Sequence, residues 1–138
     1  MRGDVRIIDD MALDDATIAS SHLVLFGDPG SNAVLNRILS KLPVDWTAAR
    51  IRIGEQEWPA NEHGLSLIFP NPLNPSKYVV VNSGHTFHEK EFRSSNAWLF
   101  PRLGDIAVQK ITKNKSGGFD EVTSWSDVFD AGWKLKPD

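Results

Sequence analysis

The chain has 138 residues, 15 Lys and Arg against 18 Asp and Glu, a formal net charge of −3 and no cysteine. This length predicts a single domain over residues 1–138. The absence of cysteine excludes disulfides, thiol catalysis and cysteine-ligated metals. The slightly acidic balance argues against nucleic acid as the main partner. No apolar run approaches the roughly 20 residues that span a bilayer.

The first third of the sequence predicts a strand, a polar turn and an amphipathic helix. Val5–Ile8 is a candidate strand or a lead-in, and Asp14 begins a short helix after it. Leu23–Phe26 is an unbroken apolar run, typical of a strand that is buried on both faces. After the turn Gly27–Asn32, a helix that ends at Pro43 carries its apolar residues on one face. These residues are Val34, Leu35, Ile38, Leu39 and Leu42.

The turn between Phe26 and the helix has two interpretations. Small residues and a helix N-terminus favour a bound anion. Alternatively, Asp28 followed by Pro29, or else Ser31 or Asn32, simply caps the helix. The glycine patterns of nucleotide sites are absent, and the Asp28 carboxylate would repel a phosphate.

The middle of the chain predicts further strands. Arg50–Ile53 and Gln56–Trp58 flank Gly54 and form a β-hairpin. Leu65–Phe69 and Val79–Val81 are strong strands, separated by Pro70–Pro75, whose three prolines predict a stiff, extended loop. Beyond the polar turn at residues 82–84, a helix is predicted over residues 85–92, a strand over 105–111 and an edge strand over 119–123. Ser124 or Ser126 would then cap a short segment.

These elements together predict a three-layer α/β fold with a mainly parallel sheet of about five strands and helices on both faces. The hairpin would extend one edge of the sheet. In such a fold, ligands bind beyond the carboxyl ends of the strands. Polar turns follow three of the predicted strands, so their side chains are expected to share one edge and bind a small polar ligand. The candidate ligand-binding residues are Asp28, Ser31, Asn32, Asn71, Asn74, Ser83 and His85.

The same residues offer a weak case for catalysis. Ser83, His85 and Asp28 are the residue types of a serine hydrolase. The nucleophile motif G-x-S-x-G is absent, because the local sequence is V-N-S-G-H, and Ser83 and His85 are too close in sequence to pair easily. His85, His88 and Glu89 would share one helix face, but H-E-x-x-H is missing. We therefore expect no catalytic residue, no metal and no cofactor.

Three motifs resemble a C-terminal region of large bacterial proteins that are similar to prolyl-oligopeptidase-type or esterase-type α/β-hydrolases. They are F-G-D-P-x-S-N, beginning at Phe26, P-N-P-x-N-P, beginning at Pro70, and N-S-G-H, beginning at Asn82. The resemblance covers roughly Asp14 to Val108. It implies an accessory domain cut from a larger, secreted or periplasmic polypeptide, with the hydrolase domain upstream. The nucleophile turn of the hydrolase is missing, so the resemblance assigns no catalytic residue here.

Three functional hypotheses follow. The chain is a non-catalytic accessory domain whose partner is the neighbouring hydrolase domain, and it exposes an apolar or Trp-bearing patch near Trp125 and Trp133. Alternatively, it binds a small ligand, such as an anion or a sugar, with its polar loops. The third hypothesis, a stand-alone serine hydrolase, requires Ser83 or Ser31 within about 3 Å of an imidazole.

Overall fold

The computed structural model describes residues 5–84 and 103–136 and is mostly β. Two short helices are present in the described residues, α1 (Asp15–Ser20) and α2 (Ala33–Ile38), with 3-10 turns at Asp10–Ala12 and Leu39–Lys41. The strands are β1 (Leu23–Phe26), β2 (Asp45–Trp46), β3 (Arg50–Ile53), β4 (Gln56–Pro59), β5 (His63–Asn71), β6 (Asn74–Asn82), β7 (Ile106–Lys113) and β8 (Phe119–Asp127).

The strands form two sheets. The larger sheet has the order β1-β6-β5-β7-β8, and the smaller one has the order β2-β3-β4. Among the strands of residues 5–84 and 103–136, only β1 and β6 pair in parallel, whereas the remaining pairs are antiparallel. The larger sheet is therefore mixed, with a single parallel pair at one edge.

The expected three-layer α/β fold with a mainly parallel sheet and helices on both faces is wrong. The error lies at Pro70–Pro75, whose three prolines predict a stiff loop. Residues 72–73 are instead the tight turn of a long β5–β6 hairpin, in which Asn71 pairs with Asn74. Consecutive antiparallel strands need no crossover helix, and the described residues contain no helical layers of the kind that the α/β fold requires.

Several local predictions are confirmed. The strand Leu23–Phe26, the short helix capped by Asp14 and the hairpin around Gly54 all form. The strand is buried on one face and not on both, and the hairpin belongs to the smaller sheet instead of extending an edge of the larger one. The helix that follows the polar turn also forms, although it changes to a 3-10 turn at Leu39. No strand forms at Val5–Ile8, which leaves the lead-in alternative. The short segment that Ser124 or Ser126 would cap is wrong, because residues 124–127 continue β8. The predicted helix at residues 85–92 lies outside the described residues.

One hydrophobic core joins the two sheets and the helices. Leu23 and Leu25 of β1 pair with Val79 and Val81 of β6, and all four side chains are buried on the same face. The smaller sheet buries Trp46, Ile51 and Ile53, and α2 buries Val34, Leu35 and Ile38, in the same cluster. Because both sheets share this core, the turns at one end of the larger sheet lie beside the smaller sheet.

Candidate functional site

The antiparallel β5–β6 hairpin separates the predicted site residues into two groups. Asn71 and Asn74 lie at the turn of the hairpin, whereas Ser83 follows the opposite end of β6. At about 3.3 Å per residue, the nine-residue strand β6 places these ends roughly 26 Å apart. The expected common edge of the sheet is therefore wrong for Asn71 and Asn74.

The amides of Asn71 and Asn74 anchor α1 to this hairpin. Asn71 is fully buried, and its Nδ2 donates to the backbone oxygens of Ile18 at 2.7 Å and Ser21 at 3.3 Å. Its Oδ1 accepts from the Leu73 N–H at 3.0 Å. Asn74 Nδ2 donates to the Ala19 oxygen at 2.8 Å. These contacts give both side chains a structural role, because they hold α1 against the turn of the β5–β6 hairpin.

Asp28 and Ser31 close the turn after β1 by bonding to the backbone. Asp28 Oδ1 accepts from the N–H groups of Gly30 at 2.8 Å and Ser31 at 2.9 Å. Ser31 Oγ accepts from the Asp28 N–H at 2.9 Å. Gly27, with a φ of +95°, supplies the left-handed backbone that begins the turn. The chain's own groups close this turn, and of the three cap candidates only Asn32 caps α2.

The N-terminus of α2 is also satisfied from within the chain. Asn32 caps the helix: its Oδ1 accepts from the Leu35 N–H at 2.9 Å, and its Nδ2 donates to the Phe26 oxygen at 3.0 Å. The Ala33 N–H donates to the carboxylate of Asp10. A protein carboxylate thus already occupies the position that an anion would take, which argues against an anion site at this helix end.

Asp28 and Ser83 do come together, at a cavity of about 580 Å³ between the two sheets. We call it the junction cavity. β1 and β6 are parallel neighbours, and the Gly27 N–H donates to the Asn82 oxygen at 3.2 Å, so the turns that follow these strands lie side by side. The polar residues that line the cavity are Asp28, Asn36, Thr47, Asn61, His63 and Ser83, and its apolar lining includes Leu39, Trp46 and Ala60.

His63, Asn36, Thr47 and Asn61 were missed as site residues. β5 runs antiparallel to β6, so the start of β5 lies at the same end of the sheet as the end of β6. His63 therefore reaches the cavity from a strand that begins there, whereas the carboxyl-end rule predicts only residues that follow strands. Its Nδ1 lies 2.9 Å from the Pro59 oxygen. A carbonyl oxygen only accepts, so Nδ1 carries the proton and Nε2 of the neutral ring is an acceptor.

Of the candidate catalytic group, only Ser83 and Asp28 belong to the described residues. His85 lies outside them, and Asp28 Oδ1 already accepts two backbone N–H groups. Ser83 is held through its backbone, since its N–H donates to the Leu65 oxygen at 2.9 Å. Its own carbonyl oxygen passes so close to Gly64 that a Cβ there would stand 1.8 Å away.

A second concave surface, of about 620 Å³, lies along β1. We call it the β1 groove. Ser31 and Asn32 line the β1 groove and not the junction cavity. Residues 5–10 of the N-terminal segment also line the groove. Its exposed apolar side chains are Val5, Ile7, Ile8, Val24 and Phe26. Ile7 is 96% exposed and Phe26 is 66% exposed.

The tryptophans that were expected near an exposed patch are instead half-buried. Trp125 packs on Trp58, with ring centroids 5.7 Å apart. Trp133 packs on Phe69 and Tyr78, at 5.8 Å and 5.6 Å. Exposed apolar side chains lie both at the β1 groove and on β8, where Phe119 is 65% exposed and Val122 is 64% exposed.

Two carboxylates have lowered pKa values, and both stabilise turns away from the junction cavity. Hydrogen bonds from the side chain and backbone of Thr17 lower the pKa of Asp14, the cap of α1. Hydrogen bonds from the Lys134 and Gly132 N–H groups, aided by the charges of Lys134 and Lys136, lower the pKa of Asp130. These shifts reflect capping of local backbone and do not mark a reactive group.

Within residues 5–84 and 103–136, no group of three or more His, Asp or Glu side chains is arranged to hold a metal ion. Across the same residues, no helix has the length and apolar character needed to cross a membrane. Comparison with known protein families, curated proteins and solved structures finds no match to this chain.

Proposed function

We propose that this chain is a non-catalytic accessory domain of a larger prolyl-oligopeptidase-like or esterase-like hydrolase, and that it contacts the neighbouring hydrolase domain through the β1 groove. The observation that carries the proposal is the clustering of five exposed apolar side chains along this one groove. Contiguous apolar surface of this kind is typical of interaction sites, whereas singly scattered apolar residues are ordinary.

The backbone of β1 supports the same surface. β1 lies at the edge of the larger sheet. Because the Gly27 N–H points to β6, the alternation of the strand directs the backbone groups of Val24 and Phe26 away from β6. Asn32 Nδ2 covers the Phe26 oxygen, and among the described residues no second strand pairs with β1. A partner segment would therefore find both apolar side chains and backbone hydrogen-bonding groups there.

Amide hydrogen exchange in the parent polypeptide and in the isolated chain tests this proposal. We expect the amides of residues 5–11 and of β1 to exchange about tenfold more slowly in the parent, because the hydrolase domain covers them. Val24→Lys should abolish that protection, since it places a charge in the contact.

Val122→Lys is the matched control, because Val122 is 64% exposed against 59% for Val24 and lies on β8, at the opposite edge of the sheet. Equal exchange in the parent and in the isolated chain would contradict the docking surface. A complete polypeptide without a hydrolase domain would contradict the accessory function itself.

A second candidate function, binding of a small polar ligand, is favoured by the junction cavity. The cavity brings Asp28 and Ser83, which were predicted as ligand-binding residues, together with His63 and Asn61. Its volume lies within the roughly 300–1,000 Å³ of small-molecule sites. Titration of the isotope-labelled chain with small molecules, followed by NMR, tests whether this cavity is a binding site.

A further inference from the structure

Three polar side chains that line the junction cavity, Asp28, Asn36 and His63, each present a hydrogen-bond acceptor. Asp28 uses Oδ1 to close its turn, and its Oδ2 has no hydrogen-bond partner among the described residues. Asn36 donates through Nδ2 to the Pro29 oxygen at 3.0 Å, so its Oδ1 remains available to accept a hydrogen bond from a ligand. His63, bonded through Nδ1, retains an acceptor at Nε2.

In each of these three side chains, one atom is fixed by the fold and the other is an acceptor. The fixed atom holds the side chain in place, so the acceptors are positioned before any ligand arrives. A matching ligand must supply several hydrogen-bond donors.

The charge of the lining disfavours anions. No Lys or Arg is among the described residues that line the cavity, and Asp28 brings a carboxylate to it. A phosphate or a carboxylate would meet like charge and acceptor atoms. A cationic amine would find a single carboxylate, one of whose oxygens already accepts two backbone N–H groups.

The apolar part of the lining narrows the ligand class further. Leu39, Trp46 and Ala60 contribute carbon surface beside the acceptors. A sugar ring offers hydroxyl donors around its edge and C–H groups on its faces, and so matches both kinds of surface. The cavity volume of about 580 Å³ accommodates a molecule of this size.

We infer that the junction cavity binds a neutral polyhydroxyl compound, of the size of a monosaccharide unit, through acceptors on Asp28, Asn36 and His63. The inference rests on the second candidate function, since it names the ligand class of that same cavity. It also distinguishes between the two ligands, anion and sugar, that the sequence left open.

NMR titration of the ¹⁵N-labelled chain with neutral hexoses and pentoses, with inorganic phosphate and with ethanolamine tests the inference. We expect the neutral sugars alone to shift the amides of Gly30, Asn61 and Ser83. Asp28→Asn keeps an oxygen for the turn but replaces an acceptor by a donor, and it should weaken sugar binding about tenfold. Thr112→Ala, an exposed change on β7, is the control that should leave binding unaltered.

The outcomes separate the ligand class from the site. Shifts at these amides with phosphate or ethanolamine, but not with sugars, would overturn the ligand class while keeping the binding site. No shift with any of the probes would overturn both the ligand class and the second candidate function. Sugar binding that Asp28→Asn leaves unchanged would contradict the assigned acceptor.

Discussion

Replacing Asn71 by alanine tests whether this residue is part of the scaffold or part of a binding site. The side chain is fully buried, donates to two backbone oxygens of the α1 region and accepts from the Leu73 N–H. Alanine removes all of these bonds and leaves the Ile18 oxygen, at the end of the 2.7 Å bond, without its partner. The variant therefore loses the link between α1 and the β5–β6 hairpin.

The magnitude follows from the hydrogen bonds. Each is worth about 1 kcal/mol net, and a buried group that loses its partner costs about 1–3 kcal/mol. Because one of the bonds, to Ser21, is long at 3.3 Å, we expect Asn71→Ala to lower the free energy of unfolding by about 2–3 kcal/mol. For a domain of this size that loss lowers the melting temperature by about 10 °C.

Urea denaturation followed by tryptophan fluorescence measures this loss. Asn61→Ala is the control, because Asn61 is exposed and its side chain forms no hydrogen bond with another described residue. Exposed substitutions of this kind change stability by about 0.5 kcal/mol or less. A loss below about 0.5 kcal/mol in Asn71→Ala would refute the anchoring role, and would return Asn71 to the set of possible ligand-binding residues.

Two further perturbations test the packing at one end of the larger sheet and the turn that follows β8. Gly64→Ala should cost about 1–3 kcal/mol of stability, since its Cβ would stand 1.8 Å from the Ser83 oxygen; an unchanged urea midpoint would show that these strands are less tightly packed. Acidification should loosen the turn closed by Asp130, because the folded turn favours the carboxylate over the protonated acid. The carboxylate contributes fully to stability above its ordinary pKa of 3.8, and this contribution is lost as the pH falls through the lower pKa of the folded state. The NMR shifts of the Gly132 and Lys134 amides should therefore titrate below 3.8, and a higher midpoint would contradict the sign.

Local patterns predicted the local elements well. The apolar run Leu23–Phe26 and the alternation on either side of Gly54 depend on neighbouring residues alone, and both formed as expected. Pro70 and Pro75 misled the fold prediction, since proline is normally excluded from paired strands. β7 pairs with β5 only up to Leu67, so Pro70 lies beyond the part of β5 that β7 requires. Pro75 lies in the register shift of the β5–β6 hairpin, between the pairs Asn71–Asn74 and Pro70–Tyr78, where the ladder is interrupted.

The candidate site was predictable to the extent that it depends on the one parallel pair. Asp28 and Ser83 follow neighbouring parallel strands, and both line the junction cavity. The rule that ligands bind beyond the carboxyl ends of parallel strands therefore predicted that these two residues lie close together. His63 precedes its strand and enters the cavity because β5 is antiparallel. Strand direction depends on pairing between residues far apart in the sequence, and no local pattern carries that information.

Hydrolysis by the purified chain is the most direct test of its non-catalytic role. The chain, with Ser83→Ala and His85→Ala beside it, would be assayed against generic ester and aminopeptidase substrates. We expect turnover no faster than in buffer, and no difference between the three proteins. Turnover by the unaltered chain that disappears in Ser83→Ala would contradict the accessory function and establish a hydrolase.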